Sequence, residues 1–145
     1  MATYRFGARR MDWSTRLLAG LRIGTGLFFV VMAGLMVSHA TAGWPPVPEH
    51  APAANAWLAA VIEGSPFMGL LLTVNYLGGG AALLSHASAP LGLALLSPAV
   101  AVIVLFHLTM SGDAWIGILL GLAFLILLAR YARAFGALWS YRDEY

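Results

Sequence analysis

The sequence predicts an all-α fold: an integral membrane four-helix bundle with both termini on the cytoplasmic side and a short interfacial helix in its first outer loop. Three observations lead there. Of 145 residues, 61% are hydrophobic and only 10% charged, with a mean hydropathy of +0.83, whereas soluble domains average about 45–50% apolar and about 25% charged. Four long apolar runs divide the chain, and four spans of about 20 residues take up just over half of it. The charges, finally, are distributed unevenly between the connections.

The first run, Leu17–Val37, is interrupted only by Arg22. A polar connection from Ser38 to Ser65 follows, rich in proline (Pro45, Pro46, Pro48, Pro52). Within it Asn55–Glu63 reads as a short helix that Asn55 caps and Gly64 ends. Trp57, Leu58, Val61 and Ile62 give it an apolar side suited to the membrane interface. Ser65-Pro66 opens the second span, Pro66–Leu84, as a hydroxyl cap followed by proline at the first helical position. After the turn Ser85–Ala89, Pro90 opens the third span, Pro90–Met110, with Pro98 inside it. Ser111-Gly112-Asp113 makes the last turn. Asp113 is placed to cap a fourth span, 114–136, which is apolar to Ala129 before Arg130 and Arg133. The whole chain therefore reads as one transmembrane domain, with no separate soluble one.

Charge sets the orientation. Arg5, Arg9, Arg10 and Arg16 precede the first span, while Arg130, Arg133 and Arg142 lie at or beyond the end of the fourth. The 38–65 connection and the 111–113 turn hold no arginine but carry Glu49, Glu63 and Asp113. The positive-inside rule then keeps both ends in the cytoplasm, and it explains the sequence pI of about 9.4 better than nucleic-acid binding does. Ala40-Thr41-Ala42 fits the small-x-small pattern of a signal-peptidase site. The length of the apolar run and Arg22 within it favour a retained helix.

Several chemistries are excluded or unsupported. With no cysteine, disulfides, Cys-ligated metals and thiol catalysis are ruled out. No phosphate-binding glycine loop, nucleophile elbow or His-Glu-x-x-His motif occurs, and the spans hold no pair of carboxylates. These absences argue against catalysis and against ion-coupled transport.

Buried polar groups in a bilayer are costly, so each is a functional lead. Arg22 can snorkel to lipid phosphate or pair within the protein. Asn75 and Tyr76, near the middle of the second span, need partners across a helix interface or on a ligand. His39 and His107 end the first and third spans at a similar depth, with Glu63 and Asp113 at that level. Such histidines can be satisfied interfacial groups, can bind a metal or haem, or can offer a hydrogen bond to a quinone carbonyl or a lipid headgroup. Their spacing is not a metal-ligand motif, and no metal site is assigned. His50 and His86 read as solvated loop residues. Gly20 and Gly24, Gly78–Gly80, and Gly117 and Gly121 read as small-residue stripes for helix packing, and Pro98 as a packing kink or a hinge.

The run Arg22-Ile23-Gly24-Thr25-Gly26-Leu27-Phe28-Phe29 through Gly34 resembles the first-helix signature of DoxX-like membrane proteins. So does Gly79-Gly80-Ala81-Ala82-Leu83-Leu84 of the second span. Pro90 through Leu96, then Pro98 and Phe106-His107, match the third helix, and Arg130-Tyr131-Ala132-Arg133-Ala134-Phe135 looks like the family's aromatic–basic ending. The resemblance covers residues 16–139. It departs from the family pattern at Asn75-Tyr76, where an acidic residue is usual, and at Val102, where an Asn is often seen. It implies a small four-helix membrane protein, in a family that includes subunits of quinone-linked oxidoreductases and partners of redox enzymes. His107, Arg22 and Pro98 are the positions carried over.

The leading expectation is a non-catalytic subunit or scaffold of an inner-membrane assembly, binding a membrane-protein partner or a second copy of itself and contacting the lipid bilayer. No cofactor is assigned; quinone and lipid are the candidate ligands, and nucleic acid is not a partner. The alternatives are a quinone-interacting oxidoreductase subunit and a small-solute transporter.

Overall fold

The computed structural model describes residues 13–46 and 48–136, excluding the side chains of Glu63 and Pro66. The described chain is helical, with no strand. Its elements are α1 (Trp13–Ala42), α2 (Pro52–Leu58, continuing as a π-helical turn over Ala59–Glu63), α3 (Pro66–Leu84), α4 (Ala89–Thr109) and α5 (Ala114–Phe135). Helices α1, α3, α4 and α5 are each long and apolar enough to cross a membrane.

Proline and glycine set most of the boundaries. Pro66 and Pro90 sit in the first turns of α3 and α4, where a missing N–H costs nothing. Glycine ends α1: Gly43 takes a φ of +67° and its N–H bonds the carbonyl of His39 at 2.9 Å. That left-handed stop carries α1 through Ala40-Thr41-Ala42, five residues past the apolar run. Over 30 residues α1 is about 45 Å long, more than the hydrocarbon core of about 30 Å needs.

The expected caps are not made by side chains. Ser65 and Asp113 accept through their backbone carbonyls, from Met68 and Ile116. Nor does Asn55 open the loop helix. That helix starts at Pro52, and Asn55 lies within it. Its amide clasps the residue before the turn, with Nδ2 donating to the His50 carbonyl (2.9 Å) and Oδ1 accepting from the His50 N–H (3.0 Å). Proline at the first helical position therefore outweighs asparagine as a start signal. The expected end holds, because Gly64 follows Glu63.

The four long helices pack in chain order, α1 on α3, α3 on α4 and α4 on α5, while α1 touches α5 only lightly. Each consecutive pair is antiparallel: Phe29 meets Tyr76 and Met36 meets Thr73 across α1 and α3. Phe29, Leu83, Leu93, Leu96, Val100, Phe124 and Leu127 form the core. Most other large apolar side chains point outward, as in the α3 stripe Phe67, Leu70, Leu71, Val74 and Leu77. Such stripes suit hydrocarbon as solvent, where helix contacts rely on close backbone approach rather than on burial. Two crossings provide that approach. A Cβ on Gly26 would stand 2.8 Å from the Gly80 carbonyl oxygen, and one on Gly92 would stand 2.7 Å from that of Gly79.

The loop helix lies on protein. The ring of Trp57 packs on Phe106 of α4 with centroids 5.4 Å apart, and Ala54 is fully buried. Leu58, Val61 and Ile62 are half-buried, so the apolar side expected at an interface is largely covered. His50 is also half-buried, edge-on to Phe106 at 5.7 Å; the expectation of a solvated side chain fails because the Asn55 clasp draws it inward. His86 stays exposed, within 2.7 Å of the Tyr131 hydroxyl.

Candidate functional site

The polar span residues singled out in the sequence, Arg22, Asn75, Tyr76, His39 and His107, do not converge on one another. Arg22, 8% exposed, donates from Nη1 to the carbonyl of Leu83. Of its two expected roles, the structure shows the internal pairing. Leu83 is next to last in α3, so its carbonyl lacks an intrahelical donor and lies at the negative end of the helix dipole. A guanidinium answers both needs.

Asn75 spans a helix interface as expected, with Nδ2 donating to the Leu95 carbonyl of α4 at 2.7 Å. Its Oδ1 is buried without a partner among the described residues. The bond falls beside Pro98, which leaves the Ala94 carbonyl without its usual amide. Ser97 Oγ donates to the Leu93 carbonyl at 2.7 Å, so the acceptors on either side of the freed one each receive a side-chain donor. Tyr76 is half-buried, its ring tilted on Phe29 at 5.2 Å.

His39 turns away from the helix interfaces. Its Nδ1 lies 2.8 Å from the Pro45 carbonyl; a carbonyl only accepts, so Nδ1 carries the proton. The ring pins the start of the loop to the end of α1. Glu63 has its side chain outside the described residues. Among the described residues no three His, Asp or Glu side chains group as metal ligands.

His107 is the expected residue that faces open space. Its ring meets Phe106 at 5.4 Å, and Nδ1 shares a hydrogen bond of 2.9 Å with Ser111 Oγ. Ser111 is itself buried in the α4–α5 turn and accepts from the Asp113 N–H at 3.1 Å. When Ser111 donates to Nδ1, the neutral imidazole carries its proton on Nε2, which has no partner among the described residues.

His107 lines a groove of about 830 Å³. One wall is half the circumference of α1 between Arg16 and Phe28; the others are Ile103 and His107 of α4 and Trp115, Ile116, Leu119 and Leu120 of α5. The groove opens where α1 and α5 barely touch, and its size falls within the usual range of about 300–1,000 Å³ for small-ligand sites.

Two members of this groove were missed in the sequence. Arg16 was read only as an orientation charge. Thr25 was part of a family-like run with no role, yet it is 8% exposed, lines the groove and makes no hydrogen bond among the described residues. By contrast Thr41, Thr73 and Thr109 each bond the carbonyl four residues back. The available signal was spacing: Arg16, Gly20 and Gly24 recur every four residues, with Thr25 beside the last. Compared with protein-family models, curated proteins and solved structures, the chain matches none.

Proposed function

We propose that the chain is an integral protein of a bacterial cytoplasmic membrane, a DoxX-like four-helix bundle with both termini inside. In this reading it serves as a non-catalytic subunit or scaffold of a membrane assembly, with quinone-linked redox complexes as the first candidates. One observation supports it above others. The polar groups of the spans are used to join helices, Arg22 to Leu83 and Asn75 to Leu95, instead of meeting at one reactive centre. Outward apolar stripes leave ample surface for a helical partner. Purification in mild detergent followed by mass spectrometry tests the proposal. A reproducible membrane-protein partner is expected; a chain that repeatedly purifies alone overturns it.

A second reading, an oxidoreductase subunit that contacts quinone, is favoured by His107. This residue lines the groove, and in the tautomer in which Ser111 donates to Nδ1 its Nε2–H can donate to a carbonyl oxygen. His107→Ala should then slow quinol turnover by the assembled complex. Unchanged turnover removes the residue from the mechanism.

A further inference from the structure

The face of α1 along the groove carries neither bulk nor internal partners. A Cβ added at Gly20 or Gly24 would meet no atom within 4 Å, whereas Gly26, on another face of the same helix, is pressed against α3. These two glycines therefore do not serve packing among the described residues. They keep the floor of the groove flat.

Three features on that floor describe an occupant. Among the described residues Arg16, exposed near the start of α1, is the one arginine, lysine or carboxylate side chain on the groove wall. Thr25, a residue only 8% exposed, has a hydroxyl with no hydrogen-bond partner among the described residues. The remaining surface is apolar except for His107. Arg16 and Thr25 are nine residues apart, about 13 Å along the helix axis. They also lie half a turn apart around the helix, so an occupant that meets both crosses the floor obliquely over Gly20 and Gly24. Beyond Thr25 the walls are Phe28, Ile103 and Leu119, suited to an acyl chain.

We propose that this groove holds one anionic phospholipid. Its phosphate pairs with the Arg16 guanidinium, the phosphoglycerol unit lies over Gly20 and Gly24, an ester carbonyl accepts from the Thr25 hydroxyl, and an acyl chain continues past Thr25 between α1 and α5. Charge complementarity favours this occupant over a second copy of the chain, whose α1 would bring another arginine rather than an anion. The proposal depends on the membrane location alone and stands apart from any partner protein.

The test uses the full chain purified in mild detergent, stripped of lipid and titrated with phosphatidylglycerol or phosphatidylcholine, with bound lipid counted by native mass spectrometry. One phosphatidylglycerol per chain is expected to be retained in preference to phosphatidylcholine. Arg16→Gln should reduce that preference about fivefold, the value of one cation near an anionic lipid surface. Thr25→Val should weaken retention of both lipids. Gly24→Leu, and independently Gly20→Leu, should fill the floor and abolish retention while thermal unfolding stays close to that of the parent, because a Cβ at either position meets no atom within 4 Å and the branch extends into the groove. Equal retention of the two lipids by the parent chain overturns the proposal, as does undiminished retention by folded Gly24→Leu and Gly20→Leu. A glycine variant that instead converts a dimer to a monomer assigns the groove to a second copy and also overturns it.

Discussion

Arg22 and Asn75 are both polar side chains donating to a carbonyl on the next helix, yet they carry different weights. The Leu83 carbonyl has no amide to replace Arg22, so Arg22→Met strands an acceptor near a helix end. A charged hydrogen bond of this kind contributes about 1.5–3 kcal/mol, and relief from burying the charge offsets part of it. A clear drop in thermal stability of the detergent-solubilised chain is expected; an unchanged melting temperature would show the contact to be dispensable. Asn75→Leu is expected to be mild. Interhelical hydrogen bonds in membranes average about 0.6 kcal/mol, and this amide already has an unpaired Oδ1. A loss above about 2 kcal/mol for Asn75→Leu would mean that Oδ1 has a bound partner. Sequence marked both residues as out of place in apolar runs. It did not reveal what they touch, because each partner is a backbone carbonyl on another helix, and no side-chain pattern encodes that.

At the level of the helices, the glycines separate into two populations that look alike in sequence. Gly92 and Gly26 sit where backbones cross, and the Cβ of an alanine would fall within 2.8 Å of a carbonyl oxygen. Gly92→Ala and Gly26→Ala should each cost about 1–3 kcal/mol through overpacking. Gly20→Ala meets nothing and should be neutral, or stabilising by up to about 1 kcal/mol through helix propensity. A denaturant series on the three variants checks the ordering, and equal effects would refute the assigned crossings. Helix limits were legible wherever proline or glycine punctuated an apolar run: α3 falls at Pro66–Leu84 as expected, and α4 is shifted by one residue to Ala89–Thr109. They were misread where hydropathy and backbone signals part. The apolar run of the first helix stops at Val37, but its backbone has no reason to leave the helix until Gly43. In the loop, Asn55 offered a cap that Pro52 made unnecessary.

For the molecule as a whole, the proposed orientation makes a simple demand. A fluorescent protein that matures only in the cytoplasm should light up when fused at either terminus, and a periplasm-dependent phosphatase should be active only when inserted in an outer connection, the 43–51 stretch or the 111–113 turn. Phosphatase activity at the C-terminus would reverse the orientation or change the number of spans. The number of long helices was legible from composition and spacing. The groove was not, since it exists only because α1 and α5 diverge, a property of four helices together. The chain-order packing has another consequence. Every major contact joins helices adjacent in the sequence apart from the loop helix, and the turn at 85–88 divides the molecule into two antiparallel hairpins. In the proposed orientation each half enters and leaves on the same side, so each can insert without the other. Expressed as separate fragments, 1–86 and 87–145, the halves should find one another in the bilayer and copurify. Gly92→Leu, at their shared crossing, should keep them apart.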